Sequence, residues 1–360
     1  MCSTCVLGRS YGTAWVIDVV PCFSMIIGFP HRPPATGGPG SFQCVLSDAL
    51  SRVGHSVTFP GEAPVPDLIL VVGGTRRIAW LARCKQAHIP IVQRLNGINW
   101  RHRVERLGWR KTLMSGIRNR VLLAIRDHLA DHVVYQSEFA KDWWHREYGP
   151  APCDESVVQN GTDTSRFVPE FAHGGDAAAT LLVVEGNVET DRASVQCLKE
   201  LAHRLTGRGI INQVVVCGGL NPEGQRQLSG ARGIRYAGRF SRENMPAVYR
   251  AAGAFLSLEI NAACPNAVIE AMASGLPIIG FATGALAELV SDACGVLADY
   301  GGDPWKLELP NIDNLEAAAE IVFSRRAELS IGARRRAEAM FGAERMLRDY
   351  LGLFLSITQE

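Results

Sequence analysis

Two series of short, continuously apolar strands, each interleaved with helical segments, constrain this chain more than any other feature. In the first half the runs FSMIIGF, DLILVV, IPIVQRL and HVVYQ are apolar and β-rich. In the second half TLLVVEG, QVVVCGG, IRYAG, AFLSL and LPIIGF are alike. Strands that are apolar throughout and separated by helices belong to parallel sheets covered on both faces. The series pauses once, in NGTDTSRFVPEFAHGGDAAAT, which is rich in turn formers and has no sustained apolar period. That pause places a domain boundary near Pro169–Asp176. The expectation is two doubly wound α/β domains in tandem, over residues 22–170 and 171–340. A closing helix, 341–360, is expected to return to the first domain. The chain has 360 residues, which suits two domains.

Composition narrows the function classes. The hydrophobic content is 47% and the formal net charge +1, which excludes a disordered chain and a general nucleic-acid glove. Charge is uneven, however. Between Arg94 and His128 lie nine Lys/Arg (Arg94, Arg101, Arg103, Arg106, Arg110, Lys111, Arg118, Arg120, Arg126) against Glu105 and Asp127. This stretch reads either as a solvated helix face or as a patch for an anionic membrane surface or a phosphate-bearing acceptor. Ten cysteines are scattered, mostly within apolar runs, as free buried thiols are in a reducing cytoplasm. Asp18 and Pro21 interrupt the apolar segment Ala14–Phe29, so the first core strand is read at Phe23–Phe29 and residues 1–21 as an extension. No stretch reaches the ~18 uninterrupted apolar residues of a membrane span.

Two segments carry chemistry. HRPPATGGPGSF follows the first strand, with Gly37, Gly38 and Gly40 ahead of a helix starting near Ser41. Glycines there let the backbone approach a ligand, and a helix N-terminus favours an anion such as a diphosphate. The spacing is not G-x-G-x-x-G, so the dinucleotide fingerprint is not met. The second segment is NAACPNAVIEAMASGLPIIGF. Pro265 suits a helix start and Asn266 a cap, with the helix over Ala267–Ser274 and a stop at Gly275. Glu270 then lies about one turn in. Alone, it reads as a carboxylate complementing the helix dipole.

Taken with its surroundings, the chain resembles the retaining nucleotide-sugar glycosyltransferases of group 1, which have the GT-B fold. CPNAVIEAMASGLPII is similar to their most diagnostic segment, the end of an E-x7-E motif. GGPGSF, ADHVVYQSEFAKDWW, VVQNGTDTSRFVPE, IRYAGRFSRENMPAVYRAAGAFLSL and TGALAEL follow the family's order over about residues 23–300. The resemblance implies an α/β GT-B chain, two Rossmann-like domains facing across a cleft. It implies that Glu270 binds the nucleotide ribose and that Cys264, Pro265, Asn266 and Ala267 line the diphosphate and donor sugar. Gly38 and Gly40 of the glycine loop, Gly238 and Glu288 join that donor site by the same carry-over. The family's Gly-Arg pair and following Lys fall on Gly186, Asn187 and Arg192, so one cation is kept and one lost. Asn96 stands where the family often has a His near the donor sugar, and Ala262 where it has the first Glu of E-x7-E.

The implied reaction is metal-independent sugar transfer with retention, in which the leaving diphosphate takes the acceptor proton and Arg192, Asn96 and Glu270 hold the reacting groups. The sequence has no Asp-x-Asp and no His cluster. A UDP- or GDP-linked donor, a glycan or lipid-linked sugar acceptor, no further cofactor, no nucleic acid, and a place in the cytoplasm at the inner membrane face complete the expectation. The changes at 96, 187 and 262 keep two alternatives open, a non-catalytic nucleotide- or glycan-binding protein and a sugar-nucleotide epimerase.

Overall fold

The computed structural model describes residues 24–359, apart from 35–36, 106–107, 171–174, 188–191, 221 and 229; for 175, 186–187, 192–194 and 222–223 it describes the backbone alone. The expected extension at 1–21 lies outside the described residues.

The first domain is a six-stranded parallel sheet in the order β2-β1-β3-β4-β5-β6. Its strands are β1 (Ile26–Gly28), β2 (Ser56–Thr58), β3 (Leu68–Val72), β4 (Ile91–Leu95), β5 (His132–Tyr135) and β6 (Asp154–Val157). The central strands are buried almost throughout, which is why they read as unbroken apolar runs. Helices α1 (Gly38–Arg52), α2 (Ile78–Gln86), α3 (Trp109–His128) and α4 (Glu138–Tyr148) connect them. The strand order reverses between β1 and β3, so α1 leaves from the switch point, where ligands of such sheets gather.

The second domain repeats the plan with the order β12-β11-β10-β7-β8-β9, again all parallel. Its strands are β7 (Thr180–Asn187), β8 (Gln213–Gly219), β9 (Ile234–Gly238), β10 (Ala254–Ser257), β11 (Ile278–Phe281) and β12 (Gly295–Ala298). The helices are α5 (Arg192–Gly207), α6 (Pro222–Leu228), α7 (Met245–Arg250), α8 (Asn266–Ala273), α9 (Leu286–Leu289), α10 (Ile312–Ser324) and α11 (Arg326–Met340). Here the order reverses between β7 and β10, and α8 starts just beyond β10. The two switch points face one another: Asn266 Nδ2 donates to Gly38 O at 3.2 Å.

The last helix, α12 (Ala343–Thr358), packs on the first domain. Met346, Leu347, Tyr350 and Phe354 join Ile27, Phe42, Leu46 and Leu50 in one buried cluster. The chain crosses between domains twice at one place, since Thr162 N donates to Phe341 O and Ala343 N donates to Thr162 O, both at 2.8 Å. Because Phe354 is fully buried in the first domain's core, Phe354→Ala should cost about 3–5 kcal/mol of that domain's stability. Urea unfolding followed by tryptophan fluorescence checks this; an unchanged midpoint contradicts the packing.

Candidate active site

The loop ahead of α8 is fixed carbonyl by carbonyl. Ala262 O accepts from Ala285 N at 2.8 Å, within the second domain. Ala263 O accepts from Ser137 Oγ at 2.6 Å, and Cys264 O from Asn160 Nδ2 at 3.1 Å, both from the first domain. Pro265 takes the N-cap position, with extended backbone, and Asn266 is the first helical residue. This corrects the expectation that Asn266 caps the helix. Its side-chain oxygen accepts from Asn160 Nδ2 at 2.7 Å and its amide nitrogen bonds Gly38 O, so it is held across the domain junction instead. At the other end of α8, Arg334 of α11 donates to Ala273 O at 2.6 Å, placing a cation where the helix dipole favours one. The first turn of α8 thus meets the first turn of α1 through the Asn266–Gly38 bond. Gly38 and Gly40 lie in the first turn of α1 and Gly37 at its N-cap, which corrects the expected start near Ser41; Gly40 is required by packing, since a Cβ there would sit 2.2 Å from Pro34 O and 2.9 Å from an Arg242 nitrogen.

Glu270 lies half-buried one turn into α8. It helps line a 190 Å³ cavity between α1 and the second domain, with Ser41, Cys44, Arg52, Arg166 and Arg242. Tyr249 Oη donates to Glu270 Oε2 at 2.9 Å. Burial pushes the carboxyl up to about 7, against the opposing pull of that hydrogen bond and of Arg242 and Arg166. Glu270 therefore faces two arginines, Arg166 and Arg242. Burial also pushes the Cys264 thiol up, to about 11, so it is neutral near pH 7.

Asn96 has its acceptor capacity fully used. Its Oδ1 receives Arg94 Nη1 at 2.7 Å and Gln136 Nε2 at 2.9 Å. Its amide NH2 is what remains, so the residue offers donors only. Arg94 also donates to Asn160 Oδ1 at 2.6 Å and stacks over the Phe42 ring at 3.8 Å. It is 1% exposed. Buried polar bonds of this kind bind their members to one geometry.

Other carried-over residues fall differently. The Glu288 carboxylate departs from the donor-site expectation: it accepts from Glu138 N at 3.0 Å and Phe139 N at 2.6 Å, capping α4 from across the domain junction. Two open amides at a helix start attract a carboxylate more strongly than a neutral sugar does. Gly186 and Asn187 lie at the end of β7, and Arg192 opens α5, but their side chains lie outside the described residues. Gly238 ends β9 with φ +80°. Arg239, which follows it, lies over Gly219; a Cβ on Gly219 would meet its guanidinium at 2.0 Å. Gly219 pairs in register with Asn187, so Arg239 brings a cation beside the position where the family's Arg is lost. Ala262 is 4% exposed, and its neighbour Asn261 is 4% exposed with φ +54°. Asn261 Nδ2 has no acceptor among the described residues. Arg239 and Asn261 carried one local signal each, a charge directly after a strand glycine and an amide before a missing carboxylate.

The basic stretch also divides. Arg94 and Arg126 are 1% exposed, while Arg101 pairs with Glu105 and Arg103 with Glu147. Arg106 lies outside the described residues. The exposed cations are Arg110, Lys111, Arg118 and Arg120 on α3. Beside them Trp109 (72% exposed), Leu113 (53%) and Ile117 (40%) form a row at four-residue spacing. Among the described residues no helix is long and apolar enough to cross a membrane, and no three His, Cys, Asp or Glu side chains cluster as metal ligands.

Comparison with known proteins places this geometry. Residues 179–307 match the family model described as Glycosyl transferases group 1. The D-inositol 3-phosphate glycosyltransferase of Salinispora tropica is 31% identical over 237 residues, covering 58% of this chain and 47% of that protein. Its namesake from Geodermatophilus obscurus is 30% identical over 232 residues, covering 59% and 50%. The chain thus spans about half the length of the curated relatives it matches. Among solved structures, sucrose-phosphate synthase from Thermosynechococcus elongatus superposes with a TM-score of 0.71 at 16% identity, covering 92% of this chain and 99% of that one. Anabaena HepE in complex with UDP and glucose gives 0.66 at 14%, covering 92% and 100%. Two parallel six-stranded sheets flanked by helices agree with these neighbours: the chain has the GT-B fold, and its residues 179–307 are similar to the group 1 glycosyl transferases.

Proposed function

We propose that this chain transfers a sugar from a nucleotide-sugar donor to a glycan or lipid-linked acceptor, with retention and without a metal. The observation that carries the reading is α8: its N-terminus lies at the meeting of the two switch points, with Glu270 one turn along. The donor diphosphate sits on the first-turn amides of α8 and the glycine loop around Gly38 and Gly40, where aligned peptide dipoles favour negative charge. Arg192 and Arg239 are the cations assigned to it. Glu270 accepts hydrogen bonds from the ribose hydroxyls, and Asn96 donates to the sugar. The leaving diphosphate oxygen takes the acceptor proton, so the protein's task is to orient two substrates and stabilise developing charge. The donor is UDP- or GDP-linked; that HepE, a neighbour of the same fold, is solved with UDP and with UDP-glucose supports a nucleotide-sugar donor.

The lipid side of the reading rests on α3. A row of Trp109, Leu113 and Ile117 flanked by four exposed cations suits a helix lying in the interface of an anionic membrane.

Three outcomes are expected. In a thermal-shift panel of UDP, GDP and ADP, at least one raises Tm by mass action, and Glu270→Ala weakens it by about tenfold or more, the loss of hydrogen bonds to a charged group worth about 1.5–3 kcal/mol. A chain that none of the three stabilises, and that turns over no nucleotide sugar, is a binding protein of another kind. The second outcome concerns pH. Glu270 is raised to about 7 in the folded chain, so its contribution to stability is full below its unfolded value and is lost as pH rises through about 7. Glu270→Gln, which does not ionise, should therefore raise Tm relative to the parent at about pH 8 and leave it nearly unchanged at about pH 4, below the carboxyl's ordinary value. Ribose hydroxyls favour the ionised form, so nucleotide affinity should rise with pH across the same window in the parent and stay flat in the variant. A parallel slope in both removes Glu270 from the ribose. Third, at low salt the chain should co-sediment with phosphatidylglycerol vesicles, and Trp109→Ala with Arg118→Glu should abolish it. Equal sedimentation of parent and variant rules out α3 as the membrane face.

A further inference from the structure

Among the described residues, the buried guanidinium of Arg94 has no anion. It is 1% exposed, and its hydrogen bonds go to the neutral amide oxygens of Asn96 and Asn160. Its Nε makes no hydrogen bond of normal geometry among the described residues; the neutral Tyr350 hydroxyl lies against the guanidinium, and no described carboxylate forms an ion pair with it. Phe42 and Tyr350 close it from the α1 and α12 side. A buried cation without a counter-charge is costly, and such groups persist mainly where something else requires the charge.

What it connects to is informative. Arg94 donates to Asn160; Asn160 Nδ2 donates to Asn266 Oδ1 and Cys264 O; Asn266 Nδ2 donates to Gly38 O. Every bond in this chain runs in one direction, from the cation towards the junction of α8 and the glycine loop. Bonds aligned head to tail polarise one another, and a charged first donor strengthens the rest. A second branch runs from Arg94 to Asn96, where it and Gln136 fix the amide as a donor. The first branch therefore carries positive potential as far as Gly38 O, and the second leaves the Asn96 amide as a donor, both near a helix N-terminus that is already positive.

We infer that Arg94 is a positioning residue whose uncompensated charge is completed by the diphosphate of the bound nucleotide, coupled to it through Asn160 and Asn266. It makes up, from inside the first domain, for the cation absent at Asn187. This rests on the nucleotide-sugar reading above, and it adds a residue that touches neither substrate.

The test separates charge from packing. Affinity for the nucleoside diphosphate that stabilises the parent, and for its nucleoside, is measured by calorimetry in the parent, Arg94→Met and Arg94→Lys. Arg94→Met relieves a desolvated charge but takes the donor from Asn160 Oδ1, so Tm of the ligand-free chain should fall without loss of folding. Diphosphate affinity should fall by about tenfold, the loss of one charge-assisted contribution, while nucleoside affinity stays within about twofold. Arg94→Lys keeps the charge and should retain most of the preference for diphosphate over nucleoside. Equal loss of both ligands in Arg94→Met, no loss of either, or loss of the preference in the lysine variant overturns the inference. If Arg94→Met fails to fold, the lysine variant decides alone. A parent that binds no nucleoside diphosphate would instead overturn the functional reading on which the inference rests.

Discussion

Three consecutive carbonyls, those of Ala262, Ala263 and Cys264, hold the loop that launches α8, and each is gripped from a different direction. One bond comes from the second domain and two from the first, so the start of α8 is as much a product of the domain junction as of its own sequence. The same residues explain why the domains sit as they do. Ser137 caps α4 through Ala140 N while bonding Ala263 O, and Glu288 completes that cap from the other side. Trp305 of the second domain packs edge-on to Trp100 and Trp143 of the first, at 5.1 and 5.0 Å between ring centroids. Polar bonds fix the register and aromatic contacts supply the area.

The site formed at this junction is unusual in what it uses. Amides dominate: Asn96, Gln136, Asn160, Asn261 and Asn266 stand where titrating side chains would be another solution. Amides do not change charge with pH, so the pH response is left to Glu270, whose half-buried carboxyl is raised to about 7. The positive charge comes from several directions: Arg94 from beneath, Arg239 over Gly219, and Arg166 and Arg242 around the cavity. A diphosphate needs charge and donors from more than one side, and none of these cations depends on a residue at position 187.

Much of this was legible in the sequence because parallel strands buried on both faces leave continuous apolar runs, and because Pro265 and Gly275 punctuate α8. The position of Glu270 one turn in followed from that. The rest depends on contacts distant in sequence. Asn266 looked like a cap because the local signal is all a sequence offers, yet Asn160 is 106 residues away and claims it. Glu288 reads as a site carboxylate until α4, 149 residues away, presents two free amides. Arg94 belongs to the basic stretch by sequence but lies inside the run IPIVQRL, and a charge within a strand apolar on both sides is a signal for burial, not for a patch. Ala262 remains the one motif position whose lost function no neighbouring side chain is shown to replace, and Asn261, with its open amide, is the group beside it.

A crystal structure of the chain with UDP tests the central claim most directly. The account predicts the diphosphate on the first-turn amides of α8, opposite Gly38, with the ribose hydroxyls on Glu270 and Arg94 still bonded to Asn160. A diphosphate held elsewhere, or a ribose that leaves Glu270 bonded to Tyr249 alone, would contradict it.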